Sequence, residues 1–575
     1  MVKAPEIGVK AAEDKVQVAQ AEAPDFEKVH WKKEPHLRKL YAYGFVLMIA
    51  SATTGYDGML INTSQQIKLW ELYFPEVGDA NKLGILVNMF NIGSIISFFF
   101  TPYVADRWGR KFAITIGCLF MCVGGCLSVF CNSYGMFIAG RFVLGFGNSF
   151  AQMCSPLLLT EICHPQHRGP VTAIYNCLWN LGALIVSCIG WGTSTINNDW
   201  SWRTITFIQI VPSAIQLMFI YWIPESPRYL LSKDRTDEAL EMLATYHAGG
   251  DKNNATVQYE FQEIKETMRL DKLTNRAVRY SDFFKTKGNR WRLAIIVSLG
   301  VISQYSGNAI LSNYINVIYE GAGIHDQNQK LGITTGKTIM DLSVTIAAAL
   351  CVDRFGRRPL FLIAICGMVG SFVCWTITSA VYENSNLKNS GAGYAQLVFI
   401  WIFGIFYDIG FSGLLVAYAL EVLPFHLRAK GMMIMNITVQ AILALSKFVI
   451  FDPKSLLNPL TKPQSNKPNR LEEPPQPLKP HVVLHCTPSP TLFPPSNLHP
   501  ANSNSFQLWD SLELVFVYFF YVETNGPTLE QIAKIFDGDE GAAHIDLHQV
   551  EKEIAQAHHE DDIVEVHAAS PKGAA

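Results

Sequence analysis

Charge is scarce in this sequence: Asp, Glu, Lys and Arg make up 17% of 575 residues, where soluble domains carry about 25%. So few charges cannot coat a globule of this size, and a water-soluble enzyme or scaffold is excluded. The net charge of -3 leaves no basic surface for nucleic acid. No HExxH, paired CxxC or nucleophile elbow occurs, so zinc-peptidase and esterase chemistry have no residues to run on. The run Gly332 to Thr338 ends in Gly-Lys-Thr, but a phosphate loop needs glycine where Leu331 stands, so nothing supports a nucleotide-driven pump. No cofactor, metal or enzymatic activity is expected. The tail cluster His558, His559, Glu560, Asp561 and Asp562 reads as a solvated acidic end. The first 40 residues are polar and show no removable signal peptide.

What is abundant is apolar. Hydrophobic residues reach 49%, and most of the twelve cysteines, Cys118, Cys122, Cys126, Cys177, Cys188, Cys366 and Cys374 among them, sit inside apolar runs, where free Cys acts as a small hydrophobe. Runs such as Phe112 to Phe130 and Thr204 to Ile223 are nearly charge-free, and about 20 such residues cross the hydrocarbon. Spans fall near 41–60, 83–104, 112–131, 136–159, 171–192 and 203–223, then near 293–318, 332–352, 360–382, 394–419 and 430–451, with a last apolar stretch at 512–522. The fold class is an all-α membrane protein of six plus six spans, the twelfth truncated. Residues 1–40 form a polar tail, 41–223 a first bundle, 224–292 a charged middle loop, 293–523 a second bundle and 524–575 a second tail. The blocks Asp234 to Ala244 and Tyr259 to Asp271 carry apolar residues at helical spacing and predict short amphipathic helices.

Arg and Lys gather in the loops after spans 2, 4, 8 and 10; because positive loops stay inside, both tails and the middle loop are expected in the cytoplasm. Those loops also repeat. Asp106-Arg107-Trp108-Gly109-Arg110-Lys111 follows span 2 and Asp353-Arg354-Phe355-Gly356-Arg357-Arg358 follows span 8. Glu161 precedes Arg168, and Glu421 precedes Arg428, by seven residues each time. Matched signals at matched positions indicate duplicated halves, with a substrate bound between them near the midplane. Glycine lets a tight turn join two spans, and the acids can pair with arginines of neighbouring loops, latching the two bundles when the inside is closed. Asp106, Arg107, Gly109, Arg110, Glu161, Arg168, Glu225, Arg228, Asp353, Arg354, Gly356, Arg357, Glu421 and Arg428 form this candidate gate.

With Gly140-Arg141 in span 4, Pro224-Glu225-Ser226-Pro227-Arg228 after span 6, Gln304-Tyr305-Ser306-Gly307-Asn308 in span 7 and Glu523-Thr524 near the end, the sequence resembles the sugar porters of the major facilitator superfamily, in particular the fungal lactose-permease-like branch. The resemblance covers about 40–450 and 512–540. It implies two six-helix bundles with pseudo-twofold symmetry, alternating access, and a plasma-membrane setting for a monomer whose partners are a sugar, a proton and lipid. In proton-coupled members an Asp at the position of Asp57 pairs with an Arg at that of Arg141 and carries the proton. A buried charge costs about 2.5–3.5 kcal/mol on insertion scales, so both residues point to function; the plainer alternative has Asp57 capping span 1 in outside water. Gln304 matches the family's sugar-binding Gln, and Asn308, Asn313, Tyr314, Asn176 and Trp179 are the further substrate candidates.

Function therefore reads as proton symport of a sugar: a disaccharide such as lactose or cellobiose, or a hexose or pentose. Passive facilitation and a non-transporting sensor remain open. Between Phe451 and Asp510 stand 13 of the 28 prolines, which no helix tolerates. A Pro-rich disordered insert at 452–510 and retained intron sequence, yielding an inactive product, are both open.

Overall fold

The computed structural model describes residues 33–164, 167–262, 264–265, 280–308, 311, 315–385, 390–423, 425–449, 500–524 and 535–536. Among these residues every regular element is helical. Six long rods form the first half: α1 Pro35–Gln65, α2 Ala80–Trp108, α3 Arg110–Val129, α4 Tyr134–Ile162, α5 Arg168–Thr193, and α6, which runs Trp200–Ile208 and Ile210–Phe219. Six more form the second: α7 Lys287–Tyr305, α8 Gln327–Phe355, α9 Arg357–Asn384, α10 Ser390–Tyr407 extended by Leu414–Val422, α11 Phe425–Val449 and α12 Pro500–Phe520. Among the described residues eight helices, in α1 to α6, α9 and α10, are long and apolar enough to cross a membrane on their own. Of the others, α8 carries Lys330, Lys337 and Asp341 along its length, and the described apolar part of α11 is Lys430–Leu445.

The halves meet along two seams, α2 against α11 and α5 against α8. By chain order α2 corresponds to α8 and α5 to α11, so the two seams are counterparts in the repeat. Within the first half, small residues bring backbones together. A Cβ added at Gly55 would lie 1.9 Å from the Trp179 carbonyl oxygen, and one at Gly182 would lie 1.9 Å from that of Ala52. α1 and α5 therefore touch backbone to backbone. Outside the seams large apolar side chains face outward, Phe99, Tyr103, Leu350 and Phe519 among them, as a lipid-facing belt requires.

Three differences from the sequence reading have local causes. The twelfth helix is not truncated to 512–522: it starts at Pro500 and runs 21 residues, because proline suits a first helical turn and none follows until Pro527. Residues 500–510 are thus helical, while 452–499, the rest of the Pro-rich insert, lie outside the described residues. Span 7 is not continuous, for α7 stops at Tyr305 and Gly307 takes φ +95°, a value that glycine adopts without steric penalty. α6 is irregular at Gln209, one turn ahead of Pro212, which cannot donate to the Ile208 carbonyl.

The middle loop holds short helices at Pro227–Ser232 and Thr236–His247, the second overlapping the block Asp234 to Ala244, while 266–271 of the block Tyr259 to Asp271 lie outside the described residues. The two helices dock under the first half, where the ring of buried His247 meets Glu260 Oε2 at 2.5 Å and the Ile162 carbonyl at the end of α4 at 3.1 Å. Residues 1–32 and 266–279 lie outside the described residues.

Candidate functional site

The repeated loops build the same device twice at one end of the bundles. After α2 the chain turns at Gly109, φ +102°, and after α8 at Gly356, φ +82°, both conformations that side chains rarely adopt. Each turn opens a helix whose first amides lack partners, and each receives a carboxylate. Glu225 Oε2 accepts from Lys111 N at 3.3 Å on α3. Glu523 accepts from Arg357 N at 3.0 Å and Arg358 N at 3.1 Å on α9. Both acids also accept from the amide that follows them, Ser226 N and Thr524 N, each at 3.0 Å. The turns have room for nothing else, since a Cβ at Gly109 would lie 2.6 Å from Glu225 Oε2 and one at Gly356 would lie 2.9 Å from Glu523 Oε2.

The arginines beside the glycines then reach a second acid. Arg110 Nε lies 3.5 Å from Glu161 Oε2 and its Nη1 3.5 Å from Asp106 Oδ1. Arg357 Nη2 lies 3.2 Å from Glu421, whose other oxygen accepts from Thr524 Oγ1 at 2.5 Å. Arg107 stands over the Trp108 ring, its carbonyl accepting from Tyr229 Oη at 3.3 Å, and Arg228 is half-buried. The side chains of Arg168, Asp353, Arg354 and Arg428 lie outside the described residues. Every pair described here stays within its own half. In this conformation the pairs described here form two separate staples, one in each half.

Burial pushes the Glu225 carboxyl up from its ordinary value of 4.5, while the two amides, Lys111 and Arg110 pull it back down. A folded-state carboxyl that holds its proton more tightly than the unfolded one withdraws stability as pH rises through that window. Wild-type thermal stability is expected to fall, relative to Glu225→Gln, as pH climbs from 4.5; parallel Tm profiles for the two proteins would contradict this.

At the other end the halves touch directly. Asn316 Nδ2 donates to the Gln65 carbonyl at 3.3 Å, Thr334 Oγ1 to Gln66 Oε1 at 3.1 Å, and Gln327 both accepts from Lys68 N at 3.4 Å and donates to the Ser194 carbonyl at 3.5 Å. Nearer mid-height, Asn180 Nδ2 donates to Thr345 Oγ1 at 2.7 Å across the α5–α8 seam.

Between these ends lies the acid that the sequence singled out. Asp57 is 1% exposed, two turns inside the end of α1, so it is not a cap in outside water. Arg141 of α4, 4% exposed, is the cation acting on its carboxylate, and stacks over Phe90 at 4.9 Å. The Gln209 amide donates to Asp57 Oδ1. Asp57 Oδ2 and two nitrogens of Arg141, Nε and Nη1, have no hydrogen-bond partner among the described residues. Gln209 was missed by the sequence reading, although an amide one turn ahead of a proline in an apolar span is a visible signal.

The substrate candidates are spread over two helices. Gln304, half-buried on the last turn of α7, donates to Ser303 Oγ at 3.4 Å and contacts the Tyr407 hydroxyl, which itself donates to the Ser303 carbonyl at 2.9 Å. Asn308 is half-buried just past the Gly307 break, and Asn313 and Tyr314 lie outside the described residues. On α5, Asn176 is half-buried and Trp179 exposed; the indole lies against Gly58, beside Asp57, where a Cβ would meet it at 3.4 Å. Three further charges, Lys337 and Asp341 on α8 and Asp408 on α10, lie inside the second half. They were missed, though the rule that drew attention to Asp57 applies equally to them.

The family profile "Sugar (and other) transporter" matches residues 43–450. A high-affinity glucose transporter of Kluyveromyces lactis is 28% identical over 59% of this chain and 61% of its own length, so the chain spans less than two thirds of that relative. The MFS-type transporter criB of Aspergillus cristatus is 27% identical over 68% of this chain and 82% of its own. In fold, the inward-open xylose transporter XylE of E. coli superposes with a TM-score of 0.63 at 19% identity, over 86% of this chain and 99% of that one. The proton:xylose symporter XylE bound to 6-bromo-6-deoxy-D-glucose superposes at 0.64, with the same identity and coverage. Two related bundles, twin staples at one end and a profile match over most of the length give one conclusion: the chain is a multi-pass membrane protein of the sugar (and other) transporter family, with the major facilitator fold.

Proposed function

We propose that this protein imports a sugar across the plasma membrane by proton symport, with Asp57 as the proton carrier and Arg141 as its counter-charge. The observation that carries the reading is Asp57 itself: an acid 1% exposed inside a span, held between a guanidinium and an amide donor. Burial favours the neutral form and Arg141 the ionised one, so small movements of α4 against α1 are enough to load or release a proton. Passive transport has no use for such an acid.

The sugar meets the amides of Gln304, Asn308 and Asn176 and the exposed face of Trp179. Asn313 and Tyr314, outside the described residues, join them by the family resemblance. The staple face is cytoplasmic by its arginine-rich loops, which puts both termini inside. Cross-half bonds at the opposite end and pairs confined to each half at the staple end fit a state closed to the outside. In moving to the outward-open state, Glu161, Glu421 and the arginines around them exchange partners between halves. The lactose-permease-like branch makes lactose or cellobiose the first sugars to try, and the glucose transporters named among the relatives add hexoses.

Uptake by the full chain over a panel of disaccharides, hexoses and pentoses in a transport-deficient yeast is the test. One sugar is expected to accumulate and an uncoupler to stop it. Uptake that an uncoupler leaves unchanged would establish passive facilitation, and no uptake of any sugar would reject the reading.

A further inference from the structure

The second half contains a charged cluster that neither the staples nor Asp57 reach. Lys337 and Asp341, one turn apart on α8, pair at 2.6 Å with side chains 21% and 16% exposed. Asp408, 6% exposed, begins the π-helical turn Asp408–Ser412 that interrupts α10, the kind of local widening that often marks a functional site. The π turn packs on α8, with Thr345 Oγ1 3.5 Å from Ser412 Oγ, which sets Asp408 beside the pair. α10 comes this close because Gly404 stands one turn earlier; a Cβ there would lie 3.3 Å from both Asp341 Oδ1 and Lys337 Nζ.

Among the described residues few groups face the cluster. Tyr407 flanks Asp408 on α10, and Tyr319, on the short helix Ile315–Gly321, lies in the field of the Lys337–Asp341 pair and shares a 3.3 Å hydrogen bond with Thr334. α7 contributes Gln304 through Tyr407, and α5 contributes Asn180 through Thr345, which lies 3.5 Å from Ser412 Oγ. Of these only the two tyrosines titrate, so the charge balance rests on the three central groups.

One ammonium and two carboxylates leave a net charge of one, which is expensive inside a membrane. Two ionised carboxylates also cannot hydrogen-bond one another, since both only accept. Asp341 Oδ1 and Asp408 Oδ2 have no donor among the described residues. A single proton between the carboxyls neutralises the cluster and supplies the missing donor.

We propose that Lys337, Asp341 and Asp408 form a second proton-binding site, in which the two carboxyls share one proton against Lys337 and the site senses sugar through Tyr407 and Gln304. Binding transfers one proton from water to the carboxyl pair and makes or breaks no other bond. Only the link to sugar rests on the transport reading.

Infrared spectroscopy of the purified full-length protein at neutral pH tests it. The wild type is expected to show a protonated-carboxyl C=O band that shifts in D2O. The band persists in Asp57→Asn and disappears in both Asp408→Asn and Asp341→Asn, each of which leaves a neutral pair with Lys337 and so should fold. Addition of the transported sugar shifts the band. Spectra of Asp408→Asn and Asp341→Asn that retain the full wild-type band would overturn the site, and a band indifferent to sugar would overturn its coupling. Failure of the wild type to take up any sugar would overturn the transport reading instead and leave the infrared result standing.

Discussion

Asp57→Asn is expected to abolish sugar accumulation against a gradient, bringing the inside-to-outside ratio to one, while exchange of labelled sugar across the membrane continues. Asn keeps the size of the side chain and an oxygen for the Gln209 amide that now meets Asp57 Oδ1, so packing at a site 1% exposed is preserved. What it removes is the proton. With no charge to neutralise, Arg141 no longer changes partner strength between loaded and empty carriers, and the reorientation steps cease to depend on protonation. Exchange needs only the loaded carrier to turn back and forth, so it survives. Accumulation by Asp57→Asn at the wild-type level would show that the proton travels elsewhere, and loss of exchange as well would show a structural role.

Gly55→Val is expected to remove most of the folded protein. Its side chain would enter space held by the Trp179 carbonyl, 1.9 Å from the first added carbon, and backbone cannot rotate away as a side chain does. Overpacking a core costs about 1–3 kcal/mol when side chains can yield; here α1 and α5 must separate. About 1.4 kcal/mol is a tenfold change in an equilibrium, so monodisperse yield from a membrane extract should fall roughly tenfold or more. Gly135→Val is the matched control, because nothing lies within 4 Å of its added carbon. Equal yields for the two variants would contradict the backbone contact.

Much of this was legible in the sequence because its physics is local. Apolar runs of span length, arginine-rich loops and the doubled Asp-Arg-x-Gly-Arg signal lie along single stretches of chain, and they gave the two halves and their ends. Asp57 and Arg141 stood out because charge is rare in apolar runs. Lys337, Asp341 and Asp408 obey the same rule and were overlooked; their meaning appears only once α8 and α10 pack and the π turn rotates Asp408 inward. Gln209 likewise needs α6 laid beside α1. The role of Glu523 is a long-range fact, for capping α9 requires the last helix to return to the turn at Gly356. The direction of the staples depends on conformation, which the motif spacing does not encode. The start of the twelfth helix was misjudged because proline density was read as uniform over 452–510, although it ends at Pro500.

Proton symport is tested most directly by following the pH of a lightly buffered suspension of cells that express the full chain while a transported sugar is added. Each sugar should draw in a proton, so the medium turns alkaline at a rate proportional to labelled-sugar entry, and the change vanishes in Asp57→Asn. Sugar entering the wild type with no change in external pH would contradict proton coupling at Asp57.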